Sequence, residues 1–100
     1  MNIYLDDYRP CPNGFVLAKN VEECIALLEH AEVEILSLDY DLGWGRPTAI
    51  EVVHYIVENK RFPKTVYLHT SSPSGQMQMY QLLAKHAPTH VAIHLGPMPI

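Results

Sequence analysis

The chain has 100 residues, 48% hydrophobic and 18% charged, with a formal charge of -4. That length makes a single domain, residues 1–100, able to bury roughly two thirds of its unfolded surface without staples. Its seven Lys and Arg residues are scattered, which argues against an extended nucleic-acid surface. Cys11 and Cys24 lack metal or disulfide-framework spacing, and neither a signal peptide nor a membrane-length apolar run is visible, so a reduced, cytoplasmic protein with no membrane partner is expected.

Asn2 to Leu5 is a short apolar first strand. The loop from Asp6 to Gly14 holds Pro10, Pro12 and Asn13-Gly14, which forbid a helix, and Phe15 to Ala18 reads as a second strand. The loop's nine residues reach about 30 Å, enough to return along a strand and pair in parallel. Asn20 to Glu23 is a capping box that opens a helix to about Ala31, with Val21, Cys24, Ile25 and Leu28 inward. Ile35 to Leu38 is the third strand, running into Asp39 and Asp41. Thr48 to Glu51 reads as a second capping box, for a helix with Ile50, Val53, His54 and Val57 on its inner face, ending near Lys60 before Pro63.

Thr65 to Leu68 is the fourth strand and runs into His69-Thr70-Ser71. Ser72-Pro73 reads as an N-cap followed by a first-turn proline. The helix it opens carries Met77, Tyr80, Leu82 and Leu83, with Met77 in the core and Met79 at the surface, and stops before Pro88. His90 to Leu95 is the last strand, and Gly96 to Ile100 is an irregular tail. Strands alternating with helices argue for an α/β fold with a mainly parallel sheet.

Alternation along the strands sorts Ile3, Leu5, Leu36, Leu38, Val66, Leu68, Val91 and Ile93 onto one face. The other collects Tyr4, Asp6, Ser37, Asp39, Tyr67, His69, Ala92 and His94. Right-handed crossovers would place all three helices on the apolar side. The Tyr-lined face is then left for solvent, a ligand or a second copy of the chain in a homodimer.

Asp6, Asp7, Asp39 and Asp41 all fall at carboxyl ends of strands, where ligands bind in open α/β sheets. Two carboxylates about 6 Å apart repel by roughly 3 kcal/mol at an effective dielectric near 20, so a counter-charge is required. Mg²⁺ on Asp6, Asp7, Asp39 and Asp41 is the leading reading; shared protons or Arg9 are the alternatives. His69 is a candidate general acid, and Arg9, Thr70, Ser71 and the helix amides after them are candidate phosphate contacts. Arg46 reads as a phosphate clamp or an exposed ion pair. Trp44, between two glycines, is a packing anchor or a stacking surface for a base. His94 reads as structural, and Cys11 has no neighbouring base that would make it a nucleophile.

Asp6-Asp7, Asp39 and Thr70 at successive strand ends resemble the response-regulator receiver superfamily. That resemblance implies a flavodoxin-like five-stranded sheet of order about 2-1-3-4-5. It also implies Mg²⁺ on the acidic pair and Asp39, with Asp39 as phosphoacceptor. Two departures stand out: His94 replaces the expected lysine, and the helices expected after the first and last strands are absent, which agrees with an uncovered face. Leu5-Asp6-Asp7-Tyr8-Arg9-Pro10, Leu38 to Gly43 and His69 to Gly75 resemble more closely the cyclic-phosphate processing receiver domains. The implied function is a Mg²⁺-dependent phosphodiesterase, a hydrolase acting on a small cyclic phosphate such as a 2',3'-cyclic nucleotide or an RNA end. The alternatives are a stand-alone phosphoacceptor signalling domain and an inactive interaction module.

Overall fold

The computed structural model describes residues 1–99, so the tail assignment at Ile100 lies outside the described residues. In chain order the elements are β1 (Asn2–Leu5), β2 (Val16–Ala18), α1 (Val21–His30), β3 (Ile35–Leu38), α2 (Ile50–Asn59), β4 (Thr65–Leu68), α3 (Pro73–His86) and β5 (Ala92–His94). The strands form one sheet in the order β2-β1-β3-β4-β5, and every pair is parallel. The loop from Asp6 to Phe15 does bring β2 parallel to β1 without a helix, with Ile3 opposite Val16. β2 and β5 are shorter than their apolar runs, and Phe15, His90, Val91 and Leu95 stay outside the strands. No helix among the described residues is long and apolar enough to cross a membrane.

From β2 onward the chain moves across the sheet in one direction, so right-handed crossovers put α1, α2 and α3 on the same face. That face buries Ile3, Leu5, Leu36, Leu38, Val66 and Leu68 completely, under Cys24 and Leu28 of α1, Val52, Val53 and Ile56 of α2, and Met79 and Leu83 of α3. The Asn20 side chain accepts from the Glu23 amide at 2.9 Å, and Glu23 reaches back to the amide of Lys19 at 2.8 Å. At the far end of α1, the Arg61 guanidinium donates to the Leu28 carbonyl at 2.6 Å, satisfying an acceptor that a helix C-terminus leaves open.

Two helix readings are corrected. α2 begins with Ala49 as its N-cap residue and has no side-chain cap, so Thr48 does not form the expected box. Its inner face is Ala49, Val52, Val53 and Ile56, and His54 is exposed. That stripe keeps the i, i+3, i+4, i+7 spacing using apolar residues alone, whereas the expected stripe needed a histidine inside. On α3, Met79 is fully buried and Met77 is 43% exposed, the reverse of the expectation. Met79 lies four residues from Leu83 and Gly75, the other buried positions of that helix, and so shares their face.

Among the described residues no helix covers the other face. Tyr4 and Ser37 are nevertheless buried there, beneath the loop and the tail. Tyr4, Pro12, Phe15, Ser37, His69 and Pro97 to Pro99 surround a mainly apolar cavity of about 390 Å³. Toward the edges this face opens: Leu17, Ala92 and His94 are exposed.

Candidate active site

Sheet hydrogen bonding continues one residue past the carboxyl end of each inner strand. The Asp6 amide donates to Ala18, Asp39 to Leu5 and His69 to Leu38, each at 3.0 Å. Asp6, Asp39 and His69 are therefore fixed side by side along one edge and, by alternation, aim away from the helices. Asp7 follows Asp6 at the surface. Ligand atoms of Asp6, Asp7 and Asp39 all lie within 4.8 Å of one another. The acids distant in sequence do converge.

Arg9 offsets their charge. Its Nη1 donates to Asp6 Oδ2 at 2.9 Å and to Asp39 Oδ2 at 3.1 Å. At an effective dielectric near 20, two carboxylates at this separation repel by roughly 3 kcal/mol, while each contact to the guanidinium is worth about 5 kcal/mol before desolvation. Attraction wins. Of the counter-charges expected here, Mg²⁺, shared protons or Arg9, the guanidinium of Arg9 is the one that bridges Asp6 and Asp39. The Asp6 bond holds the Arg9 pKa above its ordinary value despite partial burial.

Asp6 is almost fully buried, with no acceptor site to spare. Its Oδ1 takes the amides of Tyr8 and Arg9, both at 2.9 Å, and its Oδ2 takes Arg9 and His69 Nε2, also at 2.9 Å. Burial pushes its pKa up, but those amides, the guanidinium and the His69 bond together outweigh it and leave the carboxyl below its ordinary value. Burial likewise pushes the His69 pKa below its ordinary value, with Asp6 only partly opposing. A neutral ring beside an ionised carboxylate has one consistent tautomer: Nε2–H donates to Asp6, and Nδ1 accepts from the Ser37 hydroxyl at 2.6 Å. Tyr4 stacks on the imidazole at 4.4 Å between centroids.

His69 thus lines the cavity on the uncovered face, with both nitrogens engaged, and reaches the acids only through Asp6. The Thr70 hydroxyl is turned to a local task, accepting from the Ser72 amide at 3.1 Å. Ser72 caps α3 by accepting from the Gly75 amide, so that amide is not free for an anion. Ser71 borders the acidic cleft. Asp41 borders it too, exposed, but stands outside the group of three carboxylates. His94 stacks on Tyr67 at 4.6 Å on the uncovered face, so β5 delivers no cation to Asp39. Burial pushes the Cys24 thiol up to about 12 and raises that of Cys11, which leaves neither an activated nucleophile.

One feature was not foreseen from the residues. Ser37 was sorted onto the correct face yet given no partner, although a buried serine in an apolar strand must have one. Trp44 is fully exposed at 101%, which excludes the packing-anchor reading. An aromatic side chain buries roughly 150 to 250 Å², so leaving this one in water forgoes about 4 to 6 kcal/mol of burial. Tyr8, 73% exposed, borders the same cleft beside Arg9.

The cleft of about 380 Å³ is bounded by Asp7, Tyr8, Arg9, Asp39, Asp41, Gly43, Trp44 and Ser71. Its hard oxygen donors suit Mg²⁺, on the side where Asp7 and Asp39 keep acceptor positions open. Asp6 would join them only if Arg9 withdrew. No curated protein matches the chain. Residues 1–85 match the model of the cyclic-phosphate processing receiver domain. With the five-stranded parallel sheet and the acids at its edge, the chain belongs to that family.

Proposed function

We propose that the chain is a magnesium-assisted phosphodiesterase that opens a cyclic phosphate on a nucleotide or RNA end. The observation that carries this reading is the meeting of Asp6, Asp7 and Asp39, with one guanidinium bridging Asp6 and Asp39, in a family described as cyclic-phosphate processing. Water adds at phosphorus, one ring P–O bond breaks, and the freed oxygen takes a proton from solvent in the open cleft, giving a phosphate monoester. Asp39 holds the attacking water and receives its proton. Arg9 spends Nη1 on the two acids and keeps its Nε and Nη2 hydrogens for non-bridging oxygens, where negative charge grows.

Asp7 and Asp39 would hold Mg²⁺, which when bound supplies a Lewis acid toward a phosphoryl oxygen. Asp41 supports that side of the cleft electrostatically, and the Ser71 hydroxyl donates to the phosphate from its rim. His69 is a positioning residue: with Ser37 behind it, it fixes Asp6, which in turn fixes Arg9. The phosphoacceptor reading is less well supported, since β5 carries His94 stacked on Tyr67 where a cation would be needed.

The test is hydrolysis of nucleoside cyclic phosphates with and without Mg²⁺. Asp39→Asn and Arg9→Gln should each lower kcat/KM by about 10² to 10³. Full turnover in Asp39→Asn rejects its role. Turnover that ignores Mg²⁺ removes the ion and leaves Arg9 as the only cation of the site.

A further inference from the structure

Resting on that reading, we infer that Trp44 and Tyr8 form a base-stacking end of the cleft, which makes the substrate a nucleoside cyclic phosphate rather than one lacking a base. The Gly43 carbonyl accepts from the Arg46 amide at 3.1 Å, closing a turn with Trp44 and Gly45 as its central residues. Gly45 has φ +75°, a value that suits glycine at the third position of a type II turn. Gly43, at φ +112°, lets the chain enter that turn, and a Cβ added there would come within van der Waals contact of Asp7 and Arg46. The turn sets the indole at a corner in solvent, on the border of the cleft that holds Asp7, Arg9 and Asp39.

Tyr8 supplies the second surface. The Arg9 guanidinium carbon sits 4.9 Å from the centre of its ring, so one residue touches both the acids and an exposed aromatic face. A ligand held at Arg9 by an anionic group therefore has flat apolar faces within the same cleft for a planar group attached to it. A nucleoside cyclic phosphate joins those two features in one small molecule. The cleft volume of about 380 Å³ lies within the range of small-molecule sites. Stacking reads no base edge, so all bases are accepted with modest preference.

Trp44 is the single tryptophan of the chain, so its emission reports on this site alone. The experiment titrates the protein with adenosine 2',3'-cyclic phosphate and, separately, with glycerol cyclic phosphate, following emission and binding heat. The nucleotide should quench emission and the base-free compound should not. In Trp44→Ala, calorimetry should show the preference for nucleotide over glycerol cyclic phosphate falling about 10- to 100-fold, with Trp44→Phe keeping most of it. Equal quenching by both compounds, or a preference that Trp44→Ala leaves intact, overturns the inference even where hydrolysis is observed. Self-association that depends on Trp44, with no quenching by nucleotide, assigns the ring to a protein contact and overturns it as well. Base-dependent quenching without turnover would instead contradict hydrolysis and leave the base site standing.

Discussion

On the helix-covered face of the sheet, Ile3, Leu36 and Val66 lie in register and are sealed from water, and their contribution is burial alone. Turned to the opposite face, the next residues in the same rows are Tyr4, Ser37 and Tyr67, and what holds them is specific: a hydroxyl on an imidazole, a ring on a ring. Stability comes from one side, which frees the other side and the strand ends to keep polar groups in fixed places.

The largest effect expected from breaking this contrast is on the covered face. Leu36→Ala should cost about 3 kcal/mol in urea unfolding, a large share of the roughly 5 to 15 kcal/mol typical of a domain. Leu17→Ala on the exposed face should cost less than about 0.5 kcal/mol. Equal losses would contradict the two-sided picture. Asp6→Asn comes next, at about 3 kcal/mol, because it turns an acceptor of four hydrogen bonds into a poorer one and leaves Arg9 and His69 without their partner. A loss below about 1 kcal/mol would show that Asp6 does not organise the site.

Gly75→Ala should cost about 2 kcal/mol through overpacking. A methyl group there would collide with the Tyr40 ring, and the Tyr40 amide donates to Asp39 Oδ1 at 2.8 Å. Activity should fall along with stability, since the ring and Asp39 move together. The smallest effect is on pH dependence. His69 and Asp6 both have pKa values lowered by folding, so the unfolded chain binds more protons than the native one and stability falls as pH falls. The His69 contribution should set in below about pH 6.5 and that of Asp6 below about pH 4. His69→Gln should flatten the first part of the curve only, as read from urea midpoints across pH.

Much of this architecture was legible in the residues. Period-two alternation ending in Asp6, Asp39 and His69 gave their strand ends and their shared face, and the one-way order of crossovers gave the uncovered side. What local pattern could not supply was where long side chains turn. Arg9 folds back three residues to sit between two acids, and His69 turns toward Ser37 instead of the cleft, because the Asp6 acceptors and a buried hydroxyl are available there. Helix faces were misjudged on α2, where Val52 lies inside and His54 does not, and on α3, where Met79 lies inside and Met77 does not. The exposure of Trp44 is a property of a turn and two glycine dihedrals, which composition alone left open.

The most direct test of the central claim, that water attacks phosphorus where Asp39 and Arg9 meet, is phosphorus NMR of a nucleoside cyclic phosphate incubated with the protein in heavy-oxygen water. A phosphate monoester carrying the heavy isotope on phosphorus is expected from the native chain and should be suppressed in Asp39→Asn. No monoester, product without the label, or equal yields from both proteins would contradict it.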